Sequence, residues 1–472
     1  MTIGPLISCL PVVWAVAIGF LVAAVLWPDS LNSRESILIR SFLAPGLGFG
    51  LVSSVTFLVL TFFQARRSSL LVVMLLLSAV LILAFVRRAP RATFTVPPEL
   101  RVSVSRFGLL LGAAVGGVLV LDAVAFLLQL VFEPSGGWDT WAIWNLRARF
   151  LVRADQLTQG FGEALRWSHP DYPLLIPGTV AYGWLLLGTE SKLVPMLTAA
   201  TFTAATLGLL AASLTQLRGW TVGLVATAAL AATPNFIHMG AMQQADVPLS
   251  FFFLATFVLL ALADGDGAAA RLSVLAGLIL GCALWTKNEA WVFAAAVLTV
   301  WGVAWLVRRR RRLAGFVGGF VPFLLLVVFF RLRLGVSTEY IDAQRTGQAW
   351  AHLFDWDRYQ TIGKWFVRQS LEFGQWKFAV PVVLLLYALW TGVAGTRETR
   401  RTAGRIAVCL CLTLFGYFYV YLTGPYELNW WLKSSLDRLF MQLWPSVLFC
   451  AFLLFGPDHS AYPAQEQSIP KH

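Results

Sequence analysis

Thirteen apolar runs separated by short polar connections leave this chain few ways to fold. They fall near 6–27, 37–63, 69–86, 107–132, 193–216, 220–234, 247–263, 272–286, 290–307, 313–331, 376–394, 404–423 and 435–455. Most reach the roughly 18 residues that carry a helix across a bilayer, and the shorter ones call for tilt or local thinning. With only 13% charged residues and a mean hydropathy of +0.72, the chain cannot cover a water-exposed surface with polar groups. Soluble domains carry about 25% charge. The expected fold is all-α, a polytopic transmembrane bundle of about 13 spans with outward juxtamembrane helices in its loops. A further run at 173–188 is short and interrupted by Pro173, Pro177 and Gly178, so it reads as a half-inserted or surface helix.

The net charge of +12 is placed for orientation rather than for nucleic acid. Arginines cluster in the connections 87–106, 308–312 and 397–405, which the positive-inside rule assigns to the cytoplasm of a plasma (inner) membrane protein. Loops 133–192 and 332–375 then face outward, with the short turns 235–246, 287–289 and 424–434. The same count puts the N-terminus, Arg66 and Arg67 outside, against the rule. Residues 6–27 are too long for a signal-peptide core and lack a basic leader, so no cleavage is expected. Residues 1–106 read as N-terminal helices, 107–455 as the core, and 456–472 as a polar, disordered tail. Cys9, Cys282, Cys409, Cys411 and Cys450 all sit in apolar runs and read as small core residues.

One outward stretch, "GGWDTWAIWNLRARF" at 136–150, carries three tryptophans and a single acid. Gly136 and Gly137 end the preceding helix, and Asp139 or Thr140 can cap a new one. At about 100° per residue Trp138, Trp141, Trp144, Ala148 and Leu151 form one stripe with Asp139 off it, as suits a helix lying in the interface. Polar groups recur at the outer ends of other runs, in "HPDYPLLIP" (169–177), "NFIHMGAMQQADVPLSFFF" (235–253), "GLILGCALWTKNEAW" (277–291) and "DRLFMQLWP" (437–445).

In this order and on this side of the membrane, those segments resemble the C-type (GT-C) glycosyltransferases, which include aminoarabinose transferases and protein mannosyltransferases. The resemblance spans roughly 107–455, and the three runs before it are additional. It implies an essential acid in the first outward loop, matched by Asp139 with Glu133 as fallback. It also implies His169 at the head of the proline segment, although Asp171 and Tyr172 separate the prolines here, Asp246 as a second outward acid, Lys287 in the threonine–lysine turn, and Arg438 at the outer start of the last helix. Asp171 and Glu289 are extra candidates beside these. Arg147 and Arg345 are further candidates for the donor phosphate. Asp122, the one acid deep in an apolar run, is a candidate on general grounds.

The implied donor is a sugar on a polyprenyl phosphate, and the acceptor a lipid, glycan or protein. A carboxylate takes the acceptor's proton while cations hold the phosphate, and the anomeric centre inverts. No organic cofactor is needed. A divalent cation is disfavoured, because cation-dependent members pair acids one residue apart in the first loop. Asp264 and Asp266 form such a pair only on the cytoplasmic side, where they read as a turn. Each site residue also has a plain reading: a cap for Asp139 and Asp246, snorkelling for Lys287, an Asp437 pair for Arg438, solvation for Arg147 and Arg345. Two other functions compete: a polysaccharide polymerase or ligase dependent on loop 332–375, and a lipid transporter or flippase, which would hold paired charges near mid-bilayer.

Overall fold

The computed structural model describes residues 4–31, 33–88, 106–265, 269–336, 347–376 and 378–456, and these build an all-α, multi-pass membrane bundle. In chain order the helices are α1 (Gly4–Leu26), α2 (Arg34–Phe62), α3 (Arg66–Arg88), α4 (Arg106–Phe132) and α5 (Asn145–Arg153). Then come α6 (Leu175–Leu187), α7 (Leu193–Arg218), α8 (Trp220–Ala231), α9 (Pro234–Ala241), α10 (Asp246–Gly265) and α11 (Ala269–Thr286). After α12 (Ala290–Val297) a π turn leads into α13 (Val303–Arg308), followed by α14 (Arg310–Leu334) and α15 (Gln348–Leu353). The chain closes with α16 (Trp356–Glu372), α17 (Val380–Thr391), α18 (Arg397–Thr423) and α19 (Leu428–Leu454). Among the described residues, 11 spans are long and apolar enough to cross a membrane, or 13 if the pairs α8–α9 and α16–α17 each count as one. Those pairs bend by 67° and 79°, so α17 in the run at 376–394 is the second arm of a bent helix pair, and the expected turn at 235–246 contains a helix. Arg345, Asp266, most of the linker between α3 and α4, and the tail from 457 lie outside the described residues.

With no hydrophobic force between helices inside lipid, close packing must hold them together, and small residues permit it. A Cβ on Gly319 of α14 would sit 2.1 Å from the Val274 carbonyl oxygen of α11, and one on Gly277 would sit 2.0 Å from that of Phe316. The same close approach joins Gly48 of α2 to the Ala15 carbonyl of α1. The additional N-terminal helices are therefore built into the bundle: α2 is mostly buried and lies against α6, α7 and α11. Helix α6, of 13 residues, is mostly buried within the bundle. Thr179 donates to the Phe49 carbonyl, which lies roughly 20 Å down α2 from its end at Phe62. Cys282, Cys409 and Cys450 are buried as expected, whereas Cys411 is exposed and Cys9 half-buried.

Polar contacts sort the helix ends into two groups. At one end Ser8 meets Ser191, Arg66 donates to the carbonyls of Ala154 and Asp155, and Arg67 donates to that of Leu186. The charges of Arg66 and Arg67 thus go to backbone carbonyls of the 133–192 segment. At the other end Arg88 donates to the Trp27 carbonyl and Arg271 pairs with Asp29. There Asp264 is no simple turn residue. It is buried, accepts from Thr402 (3.0 Å) and Arg405 (2.8 Å), and its carbonyl accepts from Arg309. One acid inside the bundle therefore ties together two of the basic connections.

Candidate functional site

The 136–144 segment is held by its backbone. Gly136 has φ +69°, and a Cβ there would lie 2.5 Å from the Met242 carbonyl oxygen, so glycine is required twice over. The Thr140 hydroxyl donates to that same carbonyl, and the Ser168 hydroxyl donates to the Ala142 carbonyl at 2.7 Å. Thr140–Trp144 forms a π turn, which rotates the following residues relative to an α-helix and breaks the expected stripe. Trp138 and Trp141 are exposed and touch edge to face at 5.7 Å, while Trp144, Ala148 and Leu151 are buried in the bundle. Asp139 makes no capping hydrogen bond. Its side chain is turned to another task.

Four of the expected residues, from four distant segments, meet in one ion network. Arg438 donates through Nη1 to Asp139 at 2.5 Å and through Nε and Nη2 to Asp246 at 2.9 and 2.8 Å. Asp246, at the first residue of α10, also accepts from Lys287 (2.9 Å) and from Gln442 (2.7 Å). Lys287, just past α11, makes a second pair with Glu289 at 2.7 Å. Gln442 lies one turn beyond Arg438 and accepts from the Tyr417 hydroxyl at 3.1 Å. Arg438 is not at the start of its helix. Glu427 caps α19 by accepting from the backbone N–H groups of Asn429 and Trp430. That sets the arginine ten residues, about 15 Å, along the helix.

The two acids on Arg438 differ in what they can do. The Asp246 side chain is 1% exposed and has three side-chain partners, so it fixes the geometry. Asp139 is 21% exposed, and among the described residues only one of its oxygens accepts a hydrogen bond. Glu289 is equally exposed and held through Oε1 by Lys287, but its second oxygen is buried without a partner, whereas the second oxygen of Asp139 is not sealed in.

A second layer lies beside it. Asp171 accepts from Asn288 (2.6 Å), whose oxygen accepts from Arg331 (3.0 Å). Burial raises the Asp171 pKa despite the nearby His169 and Arg331 charges. His169, at φ +48°, stacks on Tyr172 at 5.0 Å, and Tyr172 stacks on Trp144 at 5.4 Å and lies beneath Lys287. Arg147 is not solvated: it is buried, donates to the Ser168 carbonyl at 3.1 Å and sits 4.7 Å over the Phe161 ring. Burial lowers its pKa to about 10. Two candidates fall away from the network. Glu133 is exposed at the end of α4, and Asp122 is on the same mostly exposed helix.

Tyr172, Asn288, Arg331, Tyr417 and Gln442 were not singled out in the sequence. Gln442 had a signal, one helical turn from Arg438. Asn288 had one too, between Lys287 and Glu289. Arg331 was hidden as the last residue of an apolar run. Fold and site together define a polytopic α-helical membrane protein with a buried ion network at one end of the bundle. Compared with protein-family models, curated proteins and solved structures, the chain matches none.

Proposed function

We propose that the protein is an integral-membrane glycosyltransferase. It moves a sugar from a polyprenyl-phosphate donor to an acceptor hydroxyl at the outer face of the plasma (inner) membrane, with Asp139 as general base. The acceptor oxygen attacks the anomeric carbon, Asp139 takes its proton, and the bond to the phosphate oxygen breaks as the lipid phosphate leaves. Arg438 holds Asp139 in place, and Asp246, Lys287 and Gln442 hold Arg438. Inversion at the anomeric carbon follows from a single displacement assisted by one base.

The observation that carries this reading is the meeting of Asp139, Asp246, Lys287 and Arg438 at one end of the bundle, with only Asp139 left open. These are the residues that the GT-C resemblance singled out. The polymerase or ligase reading is less supported, because Arg358 of the late loop donates to the carbonyls of Tyr421 and Leu422, and Arg368 pairs with Glu372. The transporter or flippase reading asks for paired charges near mid-bilayer, and Asp122 sits on a peripheral helix instead. The test is mass spectrometry of surface glycolipids and glycans with and without the gene, followed by transfer with purified protein. Loss of one sugar from a defined glycan is expected. Unchanged glycans together with no transfer in vitro would refute the reading.

A further inference from the structure

The network around Asp139 has no cation to spare. Three carboxylates (Asp139, Asp246, Glu289) face two cations (Lys287, Arg438), and both cations are already paired twice. A phosphate arriving there would meet net negative charge and would have to break existing pairs.

The layer beside it is the reverse. Among the described residues, Arg147 Nη1, Arg331 Nε and the indole N–H groups of Trp144 and Trp291 are buried without a hydrogen-bond partner. All four are donors, and a buried donor left unpaired costs about 1–3 kcal/mol. They lie on three segments: Trp144 and Arg147 in the 140–153 stretch, Trp291 on α12 and Arg331 on α14. Arg331 is 5.8 Å over the Trp291 ring and is bound to Asn288, which is bound to Asp171. Arg147 is bound to the Ser168 carbonyl, and its ring partner Phe161 touches Phe330, the residue before Arg331. Trp144 stacks on Tyr172, whose ring lies beneath Lys287, the residue before Asn288. Among the described residues Asp171 is the carboxylate whose charge acts on both arginines, and it approaches Arg331 through the Asn288 amide. Glu289, the residue after Asn288, adds one buried oxygen without a partner.

We propose that Arg147 and Arg331, with the Trp144 and Trp291 N–H groups, bind the donor's phosphate, an inference that rests on the lipid-linked-donor reading above. Guanidinium forks suit a phosphate's oxygens in a way that point charges do not. Arg331 is near the end of α14, on the side of the bundle that holds the ion network, where the headgroup of a membrane-embedded lipid would lie. Asn288 acts as a positioning residue, orienting Arg331 from the same turn that carries Lys287.

Binding tests this without turnover. The full-length purified protein in lipid nanodiscs is titrated with polyprenyl phosphate and, separately, with inorganic phosphate. Arg147→Gln and Arg331→Gln are each expected to raise Kd for polyprenyl phosphate about tenfold to hundredfold, while Arg368→Gln binds like wild type. Lysine at either position keeps charge without the fork and is expected to fall in between. If a glutamine variant fails to fold, the lysine variants decide, and unchanged Kd in both overturns the proposal. Wild-type Kd in both glutamine variants overturns the site but leaves the donor reading standing. Wild-type protein that does not bind polyprenyl phosphate overturns the donor reading and the site with it. Inorganic phosphate binding as tightly as the lipid overturns the assignment to a lipid-linked ligand.

Discussion

Arg438 and Asp139 are separated by 299 positions in the chain and 2.5 Å in space. The same guanidinium reaches Asp246, so one cation is shared between a sealed carboxylate and an open one. That asymmetry supports Asp139 as the proposed base. Asp139→Asn keeps the shape and a hydrogen-bond acceptor for Arg438 but cannot take a proton. Turnover should fall about 10²–10⁴-fold, with expression and melting temperature little changed. Near-normal turnover in folded protein would remove Asp139 from the mechanism.

Asp246 should behave in the opposite way. Replacing it with alanine leaves Arg438 and Lys287 short of a buried partner, and breaking a buried ion pair costs about 3–5 kcal/mol. Asp246→Ala should therefore lose folded yield and melting temperature well before any effect on catalysis can be read. A variant as stable as wild type would show that the network does not hold the bundle together.

Sidedness follows from which helix ends meet. Single cysteines at 155–165 and near Arg66 should share one accessibility to an impermeant thiol reagent, and cysteines at 308–312 the opposite one. For the proposed orientation, the first group reacts from outside. Labelling of 308–312 from outside would reverse the orientation and sink the outer-face reaction.

Asp171 gives a pH signature. Its pKa is raised, so the folded protein holds that proton above the usual carboxylate range near 4. Stability should fall as pH rises from about 4 through the raised value, because folding then requires a buried charge. His169 and Arg331 oppose this shift and burial outweighs them. Melting curves across pH should lose that slope in Asp171→Asn; an unchanged slope would assign it to another group.

Packing between α11 and α14 depends on backbone contact. Gly319→Val would drive a side chain into the Val274 carbonyl, where no flexible group can give way. Overpacking of this kind costs about 1–3 kcal/mol or more, so a clear drop in melting temperature is expected. At Gly318, where a Cβ meets nothing within 4 Å, the same substitution should be close to neutral.

The all-α, multi-pass bundle of 11 to 13 spans was legible in the sequence, because it depends on local hydropathy. The shortness of the helix in the 173–188 run was legible too, since Pro173 and Gly188 bound it. Helix limits were less so: hydropathy hid the first two turns of α19, where the polar residues Asn429, Lys433 and Ser434 belong to a helix capped by Glu427.

The resemblance carried by the order of the polar segments named Asp139, Asp246, Lys287 and Arg438 among a longer set that also held Glu133, His169, Arg147 and Arg345. Sequence alone could not say which acid is open and which is sealed, because burial depends on neighbours hundreds of residues away. Nor could it show that a π turn parts Trp144 from Trp141, or that Arg331, counted with an apolar run, is drawn to Asn288. Hydropathy and charge are properties of a segment and survive in the one-dimensional chain. Exposure, pairing and unpaired donors are properties of a packed arrangement, and only the tertiary structure decided them.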